Sequence, residues 1–209
     1  MAEVIKGVFP ENKTVEPKKE DKPLPSYILH ISITFSDPLI WRRIQIPGKL
    51  TLNQLSEVIQ QSMGWSNSDM HQFIIGKISY EPAMGDGGSI RVSKRFDENK
   101  YTAHSIEEDM LFMFTYLYDA GDGWEHEIRL EEVVQPLPEL NHSILLAGET
   151  SCPPEEAGDI HQYHDLLTAM ETPGSKDAHI LRELTGNTDF DPAFFDLEAA
   201  RKRVATLPF

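Results

Sequence analysis

The chain has 209 residues, 40% of them hydrophobic and 25% charged, a makeup that suits one globular domain with a proper core. Acids outnumber bases 34 to 19, for a formal net charge of −15. This disfavours general nucleic-acid binding, which needs clustered Lys and Arg to neutralise phosphates. No apolar run approaches bilayer length, charges from Lys13 to Lys22 break any signal-peptide layout, and the single cysteine, Cys152, permits no internal disulfide. Together these point to a cytoplasmic protein with no membrane association.

Residues 1–25, where Pro10, Pro17, Pro23 and Pro25 alternate with charge, read as a poorly ordered arm. Residues 26–209 then form a single domain. Tyr27, Leu29, Ile31, Ile33 and Phe35 alternate with His30, Ser32 and Thr34, the period of a strand. Ser36-Asp37-Pro38 turns the chain and Leu39 to Ile46 returns as a second strand, making a hairpin. A helix follows. Thr51 and Gln54 stand as a capping box, Leu52, Leu55, Ile59 and Met63 share one face, and Gly64 stops it with Trp65 folding back. Residues 72–80 read as a short strand or hairpin, Met84 to Gly88 as a turn, and Ser89 to Phe96 as a weaker strand. Leu111 to Tyr118 is apolar on both faces and therefore central. Beyond the turn at Asp119 to Gly123, parity puts Trp124, His126, Ile128 and Leu130 inward and Glu125, Glu127, Arg129 and Glu131 in water. The last third is helical: Asp159 caps Ile160 to Met170, Ser175 opens a short helix that stops at Gly186, and Asp191-Pro192 starts the final one. Strands first and helices later predict an α+β fold, a mixed and largely antiparallel sheet with helices packed on it.

Three features could carry chemistry. Asp119 and Asp122 lie in a glycine-rich turn with Glu125 and His126 behind, donors that suit a divalent metal. No established metal spacing is present, however, and Asp and Gly are also what a hairpin turn requires. A histidine between Trp124 and Ile128 is also the pattern of a satisfied core residue. Arg42 falls with Ile40 and Ile44 on the apolar side, where a guanidinium wants a carboxylate. Asp119 or Asp122 is the expected partner. Cys152 sits in a stiff Cys152-Pro153-Pro154-Glu155 loop, and its reactivity depends on neighbours the sequence does not place.

Several pieces in this order resemble the plasmid pRiA open-reading-frame-three-like family: Pro38-Leu39-Ile40-Trp41-Arg42-Arg43; Met63-Gly64-Trp65 with His71 and Phe73; Tyr118-Asp119, Gly121-Asp122 and Trp124-Glu125-His126; Cys152-Pro153-Pro154-Glu155 with Tyr163; and Phe190-Asp191-Pro192 with Phe195-Asp196. The resemblance runs from about Tyr27 to the C-terminus. It implies a compact, roll-like α+β domain and an association with plasmids or transposable elements, and it does not imply an activity. Ala120 stands where the family typically has an aromatic and Gly123 where it has an acid, which weakens the metal reading of the turn.

The leading expectation is a non-enzymatic binding or accessory module, its recognition surface built from Trp41, Arg42, Trp65, His71, Asp119 and Asp122 and its partner a protein or small molecule. No cofactor is expected. The alternative is a metal-dependent hydrolase or nuclease whose divalent ion is held by Asp119, Asp122 and His126, with Glu125 as base.

Overall fold

The computed structural model describes residues 23–83, 92–108, 113–119, 123–136, 141–186 and 190–209. Most of the expected N-terminal arm, the turn from Met84 to Gly88, and Ala120, Gly121 and Asp122 lie outside these residues. The fold is α+β. Eight strands run in the order β5-β4-β3-β6-β7-β1-β2-β8 in one open sheet, every described pairing antiparallel except β4 with β5.

The strands are β1 (Ser26–Ile33), β2 (Trp41–Pro47), β3 (His71–Ile75), β4 (Ile78–Glu81), β5 (Lys94–Asp97), β6 (Met113–Tyr118), β7 (Trp124–Val134) and β8 (Ile144–Glu149). The helices are α1 (Leu52–Met63), α2 (Ile160–Glu171), α3 (Ile180–Thr185) and α4 (Leu197–Ala205). Alternation along the strands puts Leu29, Ile31, Arg42, Ile44, Tyr116, Trp124, His126 and Ile128 on the buried face. Leu52, Leu55, Val58 and Ile59 of α1 belong to the same core. α4 packs against α1 and β8.

The signals around α1 are realised in full. Thr51 Oγ1 accepts from Gln54 N–H, Gln54 Oε1 accepts from Thr51 N–H, and Gly64 closes the helix at φ 92°. Gly64 and Trp65 N–H both return to the Gln60 carbonyl, so the chain turns sharply and drives the Trp65 ring inward.

Four local expectations are corrected, and one strand stands where none was expected. The short helix is not opened by Ser175: α3 begins at Ile180, after a run of turns, with no side-chain cap. Phe35 is not in the first strand: it takes a left-handed φ of 62° and is 74% exposed, because β1 ends at Ile33. β6 is central but buries one face only, with Met113 exposed and Thr115 and Leu117 half-buried, because on that face they stand opposite the charged Arg129, Glu127 and Glu125 of β7. The last helix begins at Leu197, capped by the Asp196 side chain, which accepts from the Ala199 N–H, while Asp191-Pro192 forms a preceding turn. β8 is unheralded by alternation, being a short edge strand with only Leu145 fully buried.

Candidate functional site

The residues expected to form one recognition surface divide between the two faces of the sheet. Trp41 lies on the open face, stacked on His30 at 5.3 Å, with its indole N–H 3.3 Å from Glu149 Oε2. Arg42, one residue on, is fully buried. Its Nε donates to the Ser62 carbonyl at 3.1 Å, Nη1 to those of Trp41 (2.7 Å) and Glu149 (2.8 Å), and Nη2 to that of Thr150 (3.1 Å). The Phe195 ring covers the guanidinium at 3.6 Å. Burial lowers the Arg42 pKa to about 10, Cys152 opposes the shift and Arg203 adds to it.

Backbone carbonyls therefore take the place of the expected carboxylate. Asp119 follows β6, with β7 and β1 standing between it and β2. It is exposed, sits at a left-handed φ of 61°, and donates its N–H to the Met70 carbonyl. His71 is buried beneath the sheet, its Nε2 2.9 Å from Oε2 of the fully buried Glu98. His126 is enclosed, its ring 5.5 Å from that of Trp65 and 5.3 Å from that of Tyr116. Nδ1 lies 3.3 Å from the Tyr116 carbonyl and Nε2 meets no hydrogen-bond partner among the described residues. Burial pushes His126 down to about 4, against the hydrogen bonds to the Tyr116 and Trp124 backbone. Among the described residues no three His, Cys, Asp or Glu side chains are grouped to hold a metal ion. Asp122 is outside them.

A different assembly does form. Trp65 stacks on Tyr118 at 5.5 Å and lies 5.3 Å from Trp124. Over this aromatic block lies the loop from Cys152 to Glu156, fastened from both sides. Trp65 Nε1 donates to the Pro153 carbonyl at 2.8 Å. Glu155 Oε2 accepts from the Ser66 N–H and hydroxyl, both at 2.7 Å, while Oε1 takes the Tyr118 hydroxyl and, at 3.4 Å, that of Ser68. Burial alone would raise the Glu155 carboxyl; these donors outweigh it and hold it below its ordinary value. They are charge-assisted bonds, each stronger than a neutral one. Tyr118 is pushed up to about 12, by burial first and Glu155 second.

Between the Gly64-Trp65 corner and this loop lies a cleft of about 450 Å³, lined by Trp65, Ser66, Pro153, Pro154, Glu155, Glu156 and Leu184, among others. Cys152 also lines it. Burial drives that thiol up to about 12 despite Arg42 and Arg203 nearby. The cleft thus holds a thiol raised by burial and a carboxylate engaged by four donors, with His126 enclosed behind Trp65.

Sequence reasoning singled out the Cys152-Pro153-Pro154-Glu155 loop and the Gly64-Trp65 corner separately. It missed that Glu155 joins them, because Ser66 and Glu155 are 89 positions apart. It also missed Glu98 as the partner of His71.

The profile of the family described as "Plasmid pRiA4b ORF-3-like protein" matches residues 25–199. The chain belongs to this family. A family relative, "Uncharacterized protein y4hQ" of Sinorhizobium fredii (strain NBRC 101917 / NGR234), is 30% identical over 183 residues, covering 86% of this chain and 90% of its own. The crystal structure of a protein of unknown function, MM3350 from Methanosarcina mazei Go1, superposes with a TM-score of 0.72 at 27% identity. The match covers 85% of this chain and 98% of that one. Several segments that carry the family resemblance meet around Cys152: Gly64-Trp65 and Glu155 at the cleft, Tyr118 and Trp124 behind it, and Arg42 and Phe195 on its other side. Among the described residues no helix is long and apolar enough to cross a membrane.

Proposed function

We propose that this protein is a non-enzymatic binding module whose recognition site is the cleft between Trp65 and the Cys152–Glu156 loop. The observation that carries the reading is this cleft, where Trp65, Pro153, Pro154 and Leu184 supply apolar surface and the larger part of the lining is polar, Ser66, Glu155 and Glu156 included. A concave site whose fixed polar groups set the orientation of what enters is a form small-molecule sites take. The ligand is a small molecule or a protein segment that offers hydrogen-bonding groups to the polar lining and an apolar group to Trp65 and the prolines. The state of the ionisable groups supports binding over chemistry, since Glu155 is engaged by its neighbours and His126 is enclosed. The plasmid in the family's name supports an accessory role connected with plasmids or other mobile elements.

Metal analysis of the purified full-length chain separates this reading from a metal-dependent hydrolase. A binding module carries no stoichiometric zinc, manganese or nickel, and its melting temperature is unchanged when these ions are added, because only a ligand of the folded state raises it. A stoichiometric metal that is lost on Asp119→Asn, together with a raised melting temperature in the wild type, would overturn it.

A further inference from the structure

On the far side of Cys152 from the Trp65 cleft lies a smaller pocket of about 200 Å³, whose lining includes Arg42, Arg203, Phe190, Phe194, Phe195 and Asp196. We infer that this pocket binds a small organic carboxylate, its anionic head on Arg203 and its apolar body against the phenylalanines.

The case begins at the C-terminus of α1. The last carbonyls of a helix lack intrahelical donors and carry the negative end of its dipole. Here Arg42 Nε takes the Ser62 carbonyl at 3.1 Å, and Arg203 Nε takes that of Gln61 at 3.0 Å. The two guanidinium groups arrive from β2 and α4 and converge on one helix end. That end supplies only about half a negative charge against two positive ones. Neither arginine is in an ion pair among the described residues, although acids outnumber bases 34 to 19 in the chain. The pocket's own carboxylate, Asp196, turns Oδ1 to the Ala199 N–H at the start of α4.

Arg42 is largely consumed, its four hydrogen bonds to carbonyls leaving little of a guanidinium's five N–H groups. Arg203 is not. Its one hydrogen bond among the described residues uses Nε, so the outer edge formed by Nη1 and Nη2 has no partner among them. Two parallel N–H donors on one planar edge match the two oxygens of a carboxylate. Phe194 is 62% exposed and Phe195 stacks on Arg42, so the wall beyond the charge is aromatic and partly open. Two cations without an ion pair among the described residues, beside an aromatic wall, have the complement of an aromatic or short-chain carboxylate. Burial by a ligand also strengthens the attraction by removing water.

The test is calorimetric titration of the full-length protein with benzoate, with benzyl alcohol as neutral isostere, benzamidine as cation and phenyl phosphate as the competing anion. Benzoate binds, benzyl alcohol and benzamidine do not, and Arg203→Gln weakens benzoate roughly tenfold or more, the loss of a charge-assisted pair. Phe194→Ala, a change at an exposed ring, weakens benzoate several-fold and keeps the fold intact whether or not Arg203→Gln does. Absence of benzoate binding, equal binding of benzyl alcohol, tighter binding of phenyl phosphate, or affinity unaltered in both variants would each overturn the assignment. The Trp65 indole does not line this pocket, so this outcome is independent of the cleft proposed above.

Discussion

Arg42 and His126 show how strand parity sets the chemistry of a side chain. Both lie on the buried face, and each solves burial differently. Arg42 keeps its charge by surrendering four hydrogen bonds to carbonyls. Its removal leaves those acceptors unpaired and a cavity beneath Phe195, so Arg42→Ala is expected to cost about 3–5 kcal/mol. Asp119→Asn keeps a residue tolerant of the left-handed φ of 61° and is expected to stay within about 0.5 kcal/mol of wild type. Chemical denaturation of both variants checks this; equal losses would restore Asp119 as the partner of Arg42. His126 instead gives up its charge. Its folded value of about 4 lies below the ordinary 6.5, so between these values the unfolded chain binds the extra proton. The resulting stability is complete above pH 6.5 and is lost as pH falls toward 4, up to about 3 kcal/mol. His126→Phe, which suits the surrounding rings, removes this part of the acid sensitivity. Matched unfolding curves for the two proteins across that range would contradict it.

At the scale of elements, what the sequence discloses depends on whether the signal is local. The capping box of Thr51 and Gln54, the Gly64 stop, the β1–β2 hairpin and the inward and outward faces of β7 are all local patterns, and each was legible. The other end of the same helix was not. No basic residue lies in the last turn of α1; its carbonyls are taken by arginines from β2 and α4, the second 142 positions from its acceptor. β8 escaped for a related reason. An edge strand with one fully buried residue has no alternation to read, and what matters in it is a glycine. A Cβ on Gly148 would sit 2.7 Å from Phe195 Cε1, 2.8 Å from Arg42 Cδ and 2.9 Å from the Trp41 carbonyl oxygen. Gly148→Ala is therefore expected to displace Phe195 from Arg42 and to destabilise by about 1–3 kcal/mol. A melting temperature equal to wild type would show that the contact yields freely.

Across the whole molecule, one open sheet separates two surfaces of different character. The outer surface is patterned with solvated charge, including Arg43 with Glu131 and Arg129 with Glu127. The inner surface carries the core and the two pockets that flank Cys152. Fold class was readable because strand and helix periodicities are properties of short windows. The site was not, since its parts become neighbours only through the strand order and the loop fastened by Glu155. The expected surface combined Trp41 with Arg42; adjacent strand positions cannot share a face.

That separation supplies a direct test. The chain has three tryptophans, and each indole N–H gives its own resonance in a proton–nitrogen correlation spectrum. Trp65 Nε1–H is bonded to the Pro153 carbonyl at the cleft, whereas Trp41 stacks on His30 across the sheet. In a fragment titration of the labelled full-length protein, cleft binding shifts the Trp65 indole signal in a saturable way and leaves that of Trp41 still. A saturable shift of Trp41 with Trp65 unmoved would contradict the account and transfer recognition to the open face.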